Sequence, residues 1–552
     1  MANKTLFASQ QVVRTRCNAV NEAGGRAYEF SPKHALAQMA ATGTLADNYY
    51  TSASNQLDTV LEIAKKIKED QFIAKTALYS RLKGYMKDMP ALLCVMLSKR
   101  NPELLKKIFP HVIDNGRMIR NFVQIIRSGA ADRKSLGSVP KNLIQKWFKE
   151  CTPLQLLNAS VGNDPSLADV IKLARPKPAN KEREALYGWI LGRDVNKTKL
   201  PKVVQQFEKY KAGKSKEMPD VSFQLLTGLP LDTAAWTTIC KNAKWNMTKK
   251  NLNTFLRQGV FEDAKMVKMV ADRLRDAKMI KDARIFPHEI LIAYEYMQGQ
   301  RPDEDDFGVG DKPSKPMPKA ILEAIQDALD VLAEDIPFLD KKVWAFPDVS
   351  GSMSSPVTGD RGSASSKVLC YHAAGLISAI LAKRSQDGNI IPFREEAVNF
   401  KFNSRDSIVS IASSISHLQN GGTNCSAPLR LLNERKETGD LIVYLSDLES
   451  WVDCAEQRGG ATATMAEWKK FKARNPKAKM VCIDLQANTT SQARDGADIL
   501  NIGGFSTNIF ETISNFLSGK KILVEGKKEA ATWVAEIEAI DLNKPFDKED
   551  ED

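Results

Sequence analysis

The chain of 552 residues is poor in the groupings that build metal–thiolate sites and disulfide frameworks. Its eight cysteines, Cys17, Cys94, Cys151, Cys240, Cys370, Cys425, Cys454 and Cys482, are scattered without one Cys-x-x-Cys pair. That excludes a zinc ribbon or a thioredoxin-type motif and reads as reduced core thiols. Five dispersed histidines offer no zinc constellation either. No apolar run is long enough to span a bilayer, and Met1-Ala-Asn-Lys-Thr-Leu6 lacks the apolar stretch of a secretion signal. The expectation is a non-secreted, cytoplasmic protein. Catalytic signatures are missing as well. There is no Gly-x-Ser-x-Gly nucleophile elbow, and Asp348-Val-Ser350 lacks the second aspartate of a phosphotransferring Asp-x-Asp. Gly192-Arg-Asp-Val-Asn-Lys-Thr198 approaches a phosphate loop, but Asn196 stands where its second glycine must be. A non-enzymatic protein is expected.

Charge, by contrast, is abundant and unevenly divided. Residues 1–300 hold 49 Lys and Arg against 28 Asp and Glu; subtraction from the totals of 79 and 67 leaves 30 against 39 for residues 301–552. The first part is therefore at +21 and the second at −9, within an overall +12. A polyanion would be drawn to the first part and repelled by the second, including the acidic tail Asp547-Lys-Glu-Asp-Glu-Asp552.

Hydrophobic periodicity divides the chain at the same place. Leu57, Val60, Leu61, Ala64 and Ile67 recur at helical spacing, as do Ala74, Ala77, Leu78, Leu82 and Tyr85, and then Met118, Ile119, Phe122, Val123 and Ile126. Breaks at Asp88-Met-Pro90, Asn101-Pro102 and Asp114-Asn-Gly116 separate successive helices, at the spacing of an irregular HEAT-like α-solenoid. After a Pro-, Gly- and acid-rich stretch, Gln298 to Pro318, strands and helices alternate. Strands are expected over Val343–Val349, Asn389–Phe400, Leu441–Ser446 and Lys479–Leu485, and helices over Lys367–Lys383, Asp406–Leu418 and Asn508–Leu517. The expected organisation is a helical-repeat module over 1–300, a linker over 301–319, a doubly wound α/β domain over 320–540 and an acidic tail over 541–552.

One strand of the α/β part ends in Asp348-x-Ser350-x-Ser352. Gly421-Gly422-Thr423 and the strand-like Asp440-Leu-Ile-Val-Tyr-Leu-Ser-Asp447 follow. Together they supply two carboxylates and three hydroxyls, a set suited to magnesium or manganese, hard ions that take oxygen ligands and keep several waters. The pattern resembles the metal-ion-dependent adhesion site of von Willebrand factor A (vWA) domains, with all five positions filled: Asp348, Ser350, Ser352, Thr423 and Asp447. The resemblance implies an open coordination position that accepts an acidic side chain from a protein partner.

In the basic part, Arg117, Arg120, Gln124 and Arg127 share a helix face opposite the apolar stripe; Arg133 and Lys134 follow, then Lys141 and Lys146, then Lys172, Arg175 and Lys177. Such clusters attract phosphates in a salt-sensitive, sequence-independent way. The segments Ser166-Leu-Ala-Asp-Val-Ile-Lys-Leu-Ala-Arg-Pro-Lys-Pro178 and Lys181-Glu-Arg-Glu-Ala-Leu-Tyr-Gly-Trp-Ile190 resemble the TROVE module. With the vWA-like part behind it, the chain resembles the Ro autoantigen and its bacterial Ro-like counterparts. The resemblance implies a ring of helical repeats closed by the vWA domain. It also implies binding of small Y-like RNAs and of the single-stranded 3′ ends of misfolded RNAs, in RNA quality control, and delivery to an exonuclease such as polynucleotide phosphorylase. One position departs from the family, whose Ser-His-Lys-Asp-like helix start has Leu167 here in place of the histidine. The competing expectation is a metal-dependent protein-interaction adaptor, like the vWA subunits of chelatases, whose basic charge is incidental.

Overall fold

The computed structural model describes residues 16–163, 165–283, 287–297, 316–334, 336–357, 368–403, 405–453, 460–524, 527–530 and 532–544. Most of the expected linker and of the acidic tail lies outside the described residues. The chain forms two compact units, one of residues Met1–Leu57 and Ala333–Ala535, the other of Asp58–Leu332 and Glu536–Asp552. This corrects the boundaries read from the sequence at both ends. The first 57 residues belong with the α/β unit, and helix Lys319–Glu334 belongs with the helical unit as far as Leu332, its Asp327 paired to Arg275 at 2.6 Å.

The helical unit is built from short helices whose breaks are capped as the sequence suggests. Asn101 accepts from the Leu104 N–H with Pro102 behind it, and Asn115 accepts from the Met118 N–H. An N-cap oxygen satisfies one of the donors a helix start leaves open. The segment at Asp88-Met-Pro90 is itself the first turn of helix Asp88–Arg100, where proline costs little. Four carboxyl ends use arginine. Arg100 donates to the carbonyls of Ala64 and Ile67, Arg133 to Ser98, Arg183 to Cys151, and Arg273 to Cys240 and Lys241, all at 2.6–2.8 Å. Each guanidinium reaches back 32–36 residues to the carboxyl end of an earlier helix. Those ends carry unpaired carbonyls and partial negative charge, so a cation there is doubly favoured.

The α/β unit carries a sheet of five parallel strands: β1 Leu339–Pro347, β2 Ser385–Ile390, β3 Leu441–Ser446, β4 Lys479–Asp484 and β5 Ile499–Gly503. Their order is β2-β1-β3-β4-β5, so the winding reverses between β1 and β3. In open α/β sheets, ligands bind at that reversal, beyond the carboxyl ends of the strands. Strands β3–β5, and β1 from Val343 onward, are mostly apolar and almost fully buried, as expected of a sheet covered on both faces. The strand expected over Asn389–Phe400 lies instead at Ser385–Ile390: helix Cys370–Lys383 runs nearly straight into it, and its Gln386, Asp387 and Asn389 suit an edge that periodicity does not flag.

Residues from the start of the chain complete this unit. Arg26–Glu29 pairs with Ala19–Val20 on one side and with Thr490–Ser491 on the other, and helix Pro32–Thr42 packs against β5. Ala27, Tyr28, Phe30, Leu36 and Met39 are buried there. Among the described residues no helix is long and apolar enough to cross a membrane, and the seven described cysteines are free thiols.

Candidate metal centre and nucleic-acid surface

The reversal between β1 and β3 brings the five adhesion-type residues together. Asp348 follows β1, Ser350 and Ser352 lie in the tight turn after it, Asp447 follows β3, and Thr423 comes from the loop between. All five side chains are buried. Their hydroxyls form a chain: Thr423 Oγ1 donates to Ser350 Oγ at 3.0 Å, and Ser350 Oγ lies 3.2 Å from Ser352 Oγ. Asp348 is held by the Ser350 N–H on Oδ1 at 2.8 Å and by the Ser446 hydroxyl on Oδ2 at 2.5 Å. Asp447 Oδ1 accepts from the Glu449 N–H at 3.3 Å, and its Oδ2 is buried without a hydrogen-bond partner.

The glycine pair is required by this geometry. Gly421 has φ +76°, and its carbonyl accepts from the Gly351 N–H at 2.9 Å, locking the two loops. A Cβ on Gly422 would come within 2.7 Å of the Trp451 ring, so only glycine lets the loop place Thr423.

The electrostatics call for a cation. Asp348 is pushed up from 3.8 to about 7, first by burial and then by Asp447; Asp447 is also raised by its burial. Two buried carboxylates side by side, one with an orphaned oxygen, form a site with no cationic side chain paired to it among the described residues. Asp348 and Asp447 with Ser350, Ser352 and Thr423 fit a magnesium or manganese ion, which tolerates few carboxylates and takes hydroxyl and water oxygens. No cluster of three or more His, Cys, Asp or Glu arranged for a metal occurs among the described residues, so a zinc-type site has no alternative location there. The sequence reading missed Ser446 as the clamp on Asp348, although it directly precedes Asp447.

In the helical unit, helices Gly116–Ser128 and Ser138–Glu150 both pack on helix Leu167–Ala174, which gathers the basic residues onto neighbouring surfaces. Arg117, Gln124, Arg127, Lys134, Lys146, Lys172, Arg175 and Lys177 are exposed, and Lys141 is half-buried. Arg127 and Lys172 both act on Asp169, whose carboxyl is held below its ordinary value first by Ser166. Lys146–Glu150 and Lys172–Asp169, each at 3.7 Å, are exposed pairs of the kind worth under about 1 kcal/mol, which a phosphate readily displaces.

Two residues of the expected set are engaged internally instead. Arg120 donates to the carbonyls of Ala159, at 2.7 Å, and Val161. Arg133 donates to Ser98 O, Ser98 Oγ, Ser135 O and Leu136 O. Leu167 is buried beneath the helix it begins, so that position serves packing here. Tyr187 is core, its hydroxyl donating to Phe148 O at 3.3 Å.

Comparison with known proteins accords with both units. The family model of the Ro60 vWA domain matches residues 343–517, a span containing all five metal-site residues. The RNA-binding protein RO60 of Deinococcus radiodurans is 22% identical over 520 residues, covering 89% of this chain and 94% of that protein. The crystal structure of the Deinococcus radiodurans Ro (RSR) protein, 18% identical, aligns with a TM-score of 0.58 over 89% of this chain and 100% of that one, which establishes the fold.

Proposed function

We propose that this chain, which is similar to the Ro60 vWA domain over residues 343–517 and to a Ro protein over most of its length, is a Ro-type RNA-binding protein that grips phosphates through its helical unit. The observation that carries this reading is the exposed set Arg117, Arg127, Lys172, Arg175 and Lys177, gathered on two adjoining helices and the segment just after the second, in a chain segment at +21. The RNAs that suit it are small structured, Y-like RNAs and misfolded RNAs with single-stranded 3′ ends. The role is RNA quality control in the cytoplasm, with bound RNA passed to a 3′-to-5′ exonuclease such as polynucleotide phosphorylase.

The centre at Asp348, Ser350, Ser352, Thr423 and Asp447 binds a divalent ion, magnesium or manganese, in this reading. The ion supplies a positively charged position for a carboxylate of an acidic protein partner. Ser446 holds Asp348 in place, and the glycine pair holds Thr423. The protein is a binder and not an enzyme.

Salt dependence tests the RNA reading on the full chain. The observed association constant should fall with a log–log slope of about −0.7 per neutralised phosphate on a single strand. Replacing Arg117, Arg127 and Arg175 with Ala should flatten that slope by roughly two units and weaken binding to many sequences alike. A duplex with an unpaired 3′ tail should bind more tightly than its blunt counterpart. Salt-insensitive binding, indifferent to the tail and to the triple substitution, would favour the adaptor reading and end this one.

A further inference from the structure

The acidic part of the chain holds one stretch of the opposite sign. Residues 463–479 carry Lys469, Lys470, Lys472, Arg474, Lys477 and Lys479 against the single acid Glu467. Taking these six and one from the 30 and 39 of residues 301–552 leaves 24 against 38 for the remainder. Helix Ala463–Arg474 and the turn leading into β4 therefore reverse the charge of the segment around them. Solubility alone is served by interspersed signs, whereas one sign gathered in one place builds a local potential that draws a counter-charge.

Two of the six are used internally. Lys472 reaches Asp498 at 3.2 Å and the Ala478 carbonyl at 2.6 Å, and Lys479 donates to the Phe516 carbonyl at 2.5 Å. The other four are exposed. Glu467 is buried with both oxygens taken, Oε1 by Lys470 Nζ and Oε2 by Asn433 Nδ2, each at 2.6 Å. Asn433 Oδ1 accepts from Arg474 Nη2 at 2.8 Å, which fastens helix Ala427–Glu434 to helix Ala463–Arg474 and fixes the guanidinium. The first of these helices runs out into Arg435 and Lys436, both exposed, and the Lys436 N–H donates to the Asn433 carbonyl at 3.2 Å. One asparagine thus brings the cations of two chain segments to one surface. Lys436 has φ +54°, a left-handed turn in which glycine is less strained, yet lysine stands there. Lys436, Lys469 and Lys477 form no hydrogen bond or ion pair through their side chains among the described residues, and across 427–436 and 463–479 Glu434 is the one exposed acid.

We propose that Arg435, Lys436, Lys469, Lys470, Arg474 and Lys477 form a second phosphate-binding surface, on the α/β unit, that holds the backbone of the RNA the chain binds. The proposal rests on the RNA reading above and adds a contact outside the basic helical unit. Nucleic acid suits this surface better than an acidic protein does. Protein interfaces are organised around desolvated aromatic or aliphatic anchors, and none of the large exposed apolar side chains lies in these two segments. Mobile lysines around one oriented guanidinium match a row of phosphates, which position an RNA without reading its bases.

The test uses the full chain and a fluorescein-labelled duplex with an unpaired 3′ oligouridine tail, titrated over a range of salt concentrations. The variant Lys436→Gly/Lys469→Ala/Lys477→Ala removes three cations that make no bond in the fold and relieves the left-handed turn, so its thermal transition should not fall. The log–log slope of its association constant should flatten by up to about two units, at about 0.7 per phosphate, and its affinity should weaken several-fold at low salt. Lys401→Ala/Arg405→Ala/Arg494→Ala makes the same change in net charge at exposed positions elsewhere on the unit and should leave the slope nearly unmoved. On wild type, photo-cross-linking to a tail containing 4-thiouridine should label peptides of residues 427–436 and 463–479, and excess poly-L-glutamate should not displace them. A wild-type slope in the first variant, equal shifts in both variants, or cross-links confined to the helical unit overturn the second surface and leave the RNA reading standing. Cross-links removed by poly-L-glutamate as fully as by unlabelled RNA assign the surface to an acidic protein and overturn it too. Salt-insensitive binding by wild type overturns the RNA reading, and this surface falls with it.

Discussion

Removing the charge of Asp348 should stabilise the metal-free protein at neutral and alkaline pH. The side chain is wholly buried, and its carboxyl titrates at about 7 in the folded state against 3.8 ordinarily, through burial and then Asp447. Below about pH 4 it is protonated whether the chain is folded or not, and it costs nothing. Between about pH 4 and 7 the folded protein holds a proton that the unfolded chain has released, so stability falls as pH rises through the folded value and then levels off. At about 1.4 kcal/mol per pH unit, a displacement from 3.8 to about 7 amounts to about 4 kcal/mol at pH 8. Asparagine keeps the local bonds: its Oδ1 still accepts from the Ser350 N–H, and its Nδ2 donates to the Ser446 hydroxyl. Calorimetry of Asp348→Asn in EDTA should therefore show the transition of the α/β unit raised by about 2–4 °C per kcal/mol at pH 8, and scarcely raised at about pH 3.5. Magnesium should narrow the gap, because at a hundredfold excess over its dissociation constant it adds about 2.7 kcal/mol to wild type and nothing to the variant. A variant that melts below wild type at pH 8 in EDTA, or a difference independent of pH, would refute this account of the buried pair.

Two further outcomes concern the helical unit. Arg133→Ala should cost roughly 2–4 kcal/mol of stability, measured by denaturant unfolding, since it orphans the buried Ser98 carbonyl among others, whereas the neighbouring Lys134→Ala should leave stability unchanged and lower RNA affinity modestly. Buried Lys249, paired with Glu289, should cost about 3–5 kcal/mol when changed alone to Met, and the double variant Lys249→Met/Glu289→Leu should recover most of the loss; a double variant no better than the single would refute it.

The gathering of Asp348, Ser350, Ser352, Thr423 and Asp447 was legible because these residues are few, polar and set at or between the ends of apolar strands, where the sequence pattern and the sheet's reversal coincide. Each is placed by the turn or strand it belongs to, so local reading suffices for Asp348, Ser350, Ser352, Thr423 and Asp447. The repeat spacing of the helical unit was legible for the same reason. What stayed hidden depends on partners distant in the chain. Arg120 and Arg133 look like any exposed basic residues until Ala159, Val161 and Ser98 present their carbonyls. Strand β2 was misplaced by a few residues because an edge strand of Ser-Gln-Asp-Gly-Asn-Ile shows no apolar alternation.

The pairing of Arg26–Glu29 with Thr490–Ser491 makes the chain's architecture nested. The helical unit is an insertion between the first 57 residues and the remainder of the α/β unit, and it in turn receives a late segment, through Lys75 Nζ donating to the Glu538 carbonyl. During synthesis, at roughly 5–20 residues per second, each helix end meets its arginine latch within seconds, so the insertion folds as it emerges. The opening segment, with Tyr28, Phe30 and Leu36 unburied, must wait for nearly the whole chain before its sheet exists. A fragment cut at the linker would hold neither unit complete: the front piece would carry an orphaned strand, and the back piece would lack that strand. The two termini close last, and they close each other's unit.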